Sequence, residues 1–136
     1  VAQLSPIERR AVGGDAAVLV VMTIVGFMSH GTAAAVGRLF LTMAGALVAW
    51  ALVAPWFGVV EERIIRNRRA VWRVAWAWAI AGPAAAYIRD GILGRPIPVV
   101  FVTVTILTNG LALVAWRHAY AWRLAAAHRE PERISG

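Results

Sequence analysis

The chain has 136 residues, of which 60% are hydrophobic and only 15% charged. That balance excludes an ordinary soluble domain, because one small aqueous core cannot hide so much apolar surface, and it makes a membrane the natural solvent. The formal net charge of +7 is carried by arginine alone; with no cysteine, disulfides, thiolate nucleophiles and cysteine metal sites are excluded. No polar domain is present to shape a groove for nucleic acid, so anionic lipid headgroups are the expected counter-charge.

Four apolar segments follow in order, at about 12–29, 39–60, 71–88 and 99–116. At 1.5 Å per residue each is about 27 to 33 Å long, the thickness of a hydrocarbon core. A signal peptide is the alternative for the first segment, which has Arg9 and Arg10 ahead of it. It lacks a small-residue cleavage site and three further segments follow, so it reads as retained. Unpaired backbone is not tolerated in lipid, so the expected fold is all-α: an integral membrane four-helix transmembrane bundle with short loops and antiparallel neighbours, in one domain spanning 1–136.

The N-terminal "SPIE" offers a start for the first helix. Ser5 caps, Pro6 fits the first helical position and Glu8 closes a capping box. The helix then runs through Asp15, about one turn inside the membrane boundary, where a carboxylate needs a partner or a proton. Arg73, about one turn into the third segment and entered from the same side, is the candidate partner; the alternative is that Arg73 snorkels and Asp15 reaches water. His30 closes the first segment, either solvated or as an interface or ligand contact. It lies fifteen residues from Asp15, about 22 Å along a helix, so the two cannot touch.

In the second segment Gly45 and Ala49 form a small-residue face, as do Gly82 with Ala86 and Gly110 with Val114 later, and such faces let membrane helices approach closely. Pro55 and Pro83 predict kinks. The middle loop carries Arg63, Arg66, Arg68 and Arg69, which suit anionic headgroups, as do Arg117 and Arg123 in the tail. Eleven of the fourteen arginines fall on the side holding both termini and this loop, leaving Arg38, Arg89 and Arg95 opposite. That excess predicts cytoplasmic termini and residence in the inner (cytoplasmic) membrane. Trp56, Trp72 and Trp116 fall at that same boundary as an aromatic belt.

Trp72 and Trp76 share a helix face, whereas Trp78 points elsewhere; Trp76 and Trp78 are candidates for contact with a pigment or quinone, with lipid contact and packing as the plain alternative. Thr103, Thr105, Thr108 and Asn109 make the fourth segment the most polar. Asn109 is expected to hydrogen-bond a neighbouring helix, or more sharply to contact a ligand. The tail from Arg117 to Arg129 reads as a continuing helix on which Trp116, Tyr120 and Leu124 form one face, suited to a headgroup surface or a partner.

No paired carboxylates, nucleophile–base set, phosphate loop or metal-ligand spacing is present, so an enzyme is not expected and neither metal nor cofactor is predicted. The expected role is a non-catalytic accessory subunit of a larger membrane complex, either energy-converting or a multisubunit lipid transporter, with bound lipid and other membrane subunits as partners. The rival is a small homo-oligomeric transporter or channel.

Several of these residues form an ordered pattern: Gly14-Asp15, Ser29-His30-Gly31, Ala54-Pro55 with Phe57-Gly58, Gly94-Arg95-Pro96, Phe101-Val102 and Trp116-Arg117. It resembles the domain-of-unknown-function family numbered 3054, small prokaryotic membrane proteins, over about residues 13–117. The chain departs from that pattern at Phe27-Met28, where members often carry basic residues. The resemblance implies a four-helix membrane fold and supplies no activity.

Overall fold

A capping box starts the first helix. In the computed structural model, which describes residues 3–29, 36–96 and 99–134, the Ser5 hydroxyl accepts from the Glu8 amide at 3.2 Å, and the Glu8 carboxylate accepts from the Ser5 amide at 2.8 Å. Two amides that no helix turn can satisfy are thereby paired. Helix α1 (Pro6–Ser29) begins there and passes through Asp15 without interruption. Its buried residues, Ala11, Asp15, Leu19 and Thr23, are spaced by four and form one narrow stripe. The rest of its apolar surface faces outward, as lipid rather than water allows.

Helix α2 (Val36–Val53) is followed by a 3₁₀ turn at Ala54–Phe57. Pro55 therefore ends this helix instead of kinking it, and the second segment stops short of its expected limit at residue 60. Gly58 explains the stop. Its φ of 69° lets its amide turn back to the Pro55 carbonyl at 3.1 Å, a backbone conformation that costs glycine little. The middle loop folds into a one-turn helix, α3 (Glu62–Ile65), and a 3₁₀ turn at Arg68–Val71. Ser5 and Glu8 reach it: the Ser5 hydroxyl donates to the Glu62 carboxylate at 3.1 Å, and Glu8 accepts from the Glu62 amide at 3.2 Å. Hydrogen bonds from Arg66 and then Ser5 hold the Glu62 carboxyl below the usual carboxylate range. The Ser5–Glu62 bond is therefore present at neutral pH and weakens as the pH falls through that lowered range.

Helix α4 (Trp72–Leu93) runs through Pro83, and α5 (Val99–Ile134) is one continuous helix of 36 residues. The tail from Arg117 to Arg129 continues the fourth segment within this one helix, as expected. Among the described residues there is no strand. Within those residues three stretches are long and apolar enough to cross a membrane: Pro6–Ser29, Val36–Phe57 and Val99–Glu130. α4 has the length, 22 residues or about 33 Å, but its apolar character is diluted by Arg73, Arg89 and Asp90.

α4 packs on α2 and α5, while α1 packs on α5 and α2. The central core gathers Leu19, Trp50, Val59, Trp78 and Leu113. Small residues set the spacing. A Cβ on Gly45 would stand 3.3 Å from the Ala85 carbonyl, and one on Gly110 would stand 3.1 Å from the Trp78 ring. A second cluster joins Ala11, Ile65 and Tyr120 with Ile7, Trp116 and Leu124. The Trp116–Tyr120–Leu124 face of the tail thus packs against α1 and α3 of the same chain. Trp116 leaves the expected aromatic belt for the same reason: its ring stacks on Tyr120 at 5.2 Å and lies directly over Gly14. Trp56 and Trp72 remain exposed.

Gly14 gives a test of this packing. A methyl at this position collides with the Trp116 ring, whereas one on Gly13 meets nothing within 4 Å. Gly14→Ala is expected to lower stability by about 1–3 kcal/mol, the usual cost of overpacking. Gly13→Ala should leave the thermal midpoint in detergent unchanged or slightly raised, because alanine is the better helix former.

Candidate functional site

Asp15 is 1% exposed and Arg117 3%. Arg117 grips the carboxylate with two parallel bonds, Nε to Oδ1 at 2.8 Å and Nη2 to Oδ2 at 2.6 Å. The Trp50 indole N–H donates to the same Oδ2 at 3.1 Å. A planar guanidinium matched to a carboxylate is the strongest charge-assisted pairing a protein makes, and here it joins α1 to α5 with α2 attached.

The expected Asp15–Arg73 pair is therefore corrected. Arg73 donates to the Phe57 carbonyl at 3.1 Å and lies over the Trp72 ring, tying down the 3₁₀ turn that ends α2. Arg117 is likewise corrected from a headgroup contact to the buried partner of Asp15. The signal for it was present in the sequence: Arg117 closes the fourth segment at the boundary where Asp15 opens the first. The other headgroup candidates are exposed. Arg63 pairs with Glu61 and Arg66 with Glu62 within the loop, while Arg68, Arg69 and Arg123 face outward. His30 lies outside the described residues.

Toward the opposite helix ends the bundle opens into a cavity of about 600 Å³, a size typical of small-molecule sites. α1, α2, α4 and α5 all line it. Its floor holds Trp78, Asn109, Ala46 and Thr23, and its rim holds Arg38, Arg89, Asp90 and Arg95. The floor and rim are twelve residues apart along α4, about 18 Å. The walls between are apolar, with Phe101 and Val104 on α5 and Ala85 and Ala86 on α4.

Two floor groups have no partner. Trp78 is 1% exposed and its indole N–H has no hydrogen bond. Asn109 is 6% exposed, and its side chain makes no hydrogen bond to any described residue, which corrects the expected bond to a neighbouring helix. Two of the cavity hydroxyls are satisfied locally: Thr23 bonds the Leu19 carbonyl at 2.7 Å and Thr108 the Val104 carbonyl at 2.8 Å. A buried polar group without a partner costs about 1–3 kcal/mol, so a ligand or water that supplies one is favoured there. Trp76 has no place in this site; it is exposed on the outer face of α4.

The rim is asymmetric in charge. Asp90 accepts from Arg89 Nε at 3.0 Å and Nη2 at 2.9 Å, and the same guanidinium stands 4.3 Å over the Phe101 ring. Arg89 and Asp90 thus neutralise each other, whereas Arg38 and Arg95 form no ion pair among the described residues. Asp90 was not singled out from the sequence, where it reads as a loop residue beside Arg89. No group of three or more potential metal ligands occurs among the described residues.

The pairing of Asp15 with Arg117 has a direct test. Asp15→Asn leaves a buried cation and Arg117→Met a buried carboxylate, and each should cost about 3–5 kcal/mol. The double variant should recover much of that loss in thermal unfolding in detergent, whereas Arg73→Gln should behave as a mild variant. Additive losses at residues 15 and 117 would overturn the pairing.

No curated protein and no solved structure matches the chain. A family model does: residues 12–120 match the family described as "Protein of unknown function (DUF3054)". That stretch reaches from within α1 to Tyr120, and so takes in both partners of the buried ion pair and every cavity residue named above. The chain belongs to the DUF3054 family.

Proposed function

We propose that this protein is a non-catalytic subunit of the inner (cytoplasmic) membrane that retains one lipid-like molecule between its helices and serves within a larger membrane assembly. The carrying observation is the cavity, walled by apolar side chains and floored by the unpartnered Trp78 and Asn109. In this reading α4 is the remaining span, and neighbouring spans are antiparallel. The arginine excess sets both termini in the cytoplasm, with Arg63, Arg66, Arg68, Arg69 and Arg123 on anionic headgroups. The cavity then opens on the far side of the membrane. A second reading, a small homo-oligomeric transporter, is favoured by one feature. The cavity is open at its arginine rim and sealed at the other end by Trp50, Asp15 and Arg117, as one half of an alternating-access cycle requires.

Orientation is testable because the chain has no native cysteine. Arg95→Cys should be labelled by a membrane-impermeant maleimide in intact cells, and Arg68→Cys only after permeabilisation; the reverse pattern overturns the orientation. Native mass spectrometry of protein extracted in mild detergent should show one lipid-like adduct per chain, lost in the cavity-filling variant Thr105→Trp. Co-migration with a larger complex supports the subunit role. A lone oligomer that passes solute in liposomes favours the transporter.

A further inference from the structure

The rim and the floor together specify a chemistry for the occupant. Resting on the reading of the cavity as a ligand site, we infer that it takes a single-chain acidic amphiphile, its anion at the rim with Arg38 and Arg95, and a hydrogen-bond acceptor at its buried end. The geometry supplies each part. Of the four charged rim residues, Arg89 and Asp90 are engaged with each other at 2.9 Å, so Arg38 and Arg95 leave two positive charges at the mouth of an apolar cavity. Low-dielectric walls concentrate that field on whatever enters. An anionic head placed there is matched in charge, while a neutral head leaves both arginines as they were.

The walls set the body of the molecule. A volume near 600 Å³ with an apolar lining suits one chain or one narrow ring system, not a two-chain lipid. Its far end is set by Trp78. An indole N–H is a donor only, so whatever partners it must accept. Asn109 both donates and accepts and tolerates a carbonyl or a hydroxyl. The pyrrole edge of the Trp78 ring, which carries the N–H, lies beside two glycines: Cβ atoms on Gly82 and Gly110 would stand 3.5 and 4.0 Å from Nε1.

Both ends can be tested separately by equilibrium binding of radiolabelled palmitic acid to the full-length protein in a mild non-ionic detergent, with competition by cetyl alcohol and ω-hydroxypalmitic acid. Palmitic acid should bind about tenfold or more tightly than cetyl alcohol. Arg38→Gln with Arg95→Gln should remove that preference while leaving alcohol binding unchanged. Equal binding of acid and alcohol by the native protein would overturn the acidic assignment and leave the cavity reading intact. Binding of neither probe, with no lipid-like adduct in native mass spectrometry, would overturn both. The ω-hydroxyl should add about fivefold to tenfold, the worth of one hydrogen bond, and Trp78→Phe should abolish that gain without weakening palmitic acid. No gain in the native protein would overturn the buried acceptor. Mass spectrometry of the natively bound adduct separates the sources: a free acid identifies a soluble or released amphiphile, and a lyso-phospholipid identifies bulk membrane lipid.

Discussion

The bundle is organised around one carboxylate that cannot be left alone. Asp15 sits 1% exposed on α1, and an isolated charge there would be prohibitively unstable. Every element that satisfies it is thereby fixed. Arg117 brings in α5 from 102 residues away, and Trp50 brings in α2. The Trp50 ring in turn leans on Trp78 of α4, with centroids 6.0 Å apart. Four helices are tied through a single side chain. Such a pair adds little net stability over an apolar equivalent, but wrong registers leave it broken and are strongly disfavoured. In a lipid-exposed bundle, where apolar packing alone discriminates poorly between rotations of a helix, that selectivity matters more than the net energy.

Tight and loose packing are divided between the two ends. Beside the ion pair, Trp116 covers Gly14, and the Tyr120 cluster closes over α1 and α3. At mid-height, Gly45 lets α2 approach the α4 backbone at Ala85. Beyond Trp78 the same helices no longer fill the space between them, and the cavity results. Glycines are the local device in both regimes. Where a tryptophan ring needs a slot, a glycine provides it, as Gly14 does for Trp116 and Gly110 for Trp78.

Much of this was legible from residue order, and the rest failed for a definable reason. The capping box at Ser5 and Glu8, the need of Asp15 for a partner and the close faces at Gly45, Gly82 and Gly110 all follow from local chemistry. The identity of the partner did not. Depth in a membrane is one coordinate, and Arg73 and Arg117 share it; azimuth decides between them, and it depends on which helices are neighbours. α1 lies against α5 and α2, so Arg117 faces Asp15, while Arg73 turns to a carbonyl on its own loop. Pro55 was misread for a similar reason. A proline predicts a disrupted helix, but it is Gly58, three residues on with φ 69°, that turns a kink into an end. Asn109 was recognised as buried and polar, yet its missing partner is a property of the cavity beside it, which no sequence pattern announces.

The two buried acids show why the ends behave differently. Asp15 and Asp90 are each held by a two-point arginine grip, at 2.6–2.8 Å and 2.9–3.0 Å respectively. Asp15 takes its arginine from another helix, so separating α1 from α5 exposes two opposite charges at once. Asp90 takes its arginine from the adjacent residue, so its charge is neutralised within α4 whatever the neighbouring helices do. The first pair opposes any opening of the bundle; the second is indifferent to it. The contact of Arg89 with the Phe101 ring crosses to α5 at the rim, and a cation–π contact is worth a fraction of a buried ion pair. The chain thus places its ion pair between helices at one end of the bundle, and joins α4 to α5 at the mouth of the cavity through a weaker contact.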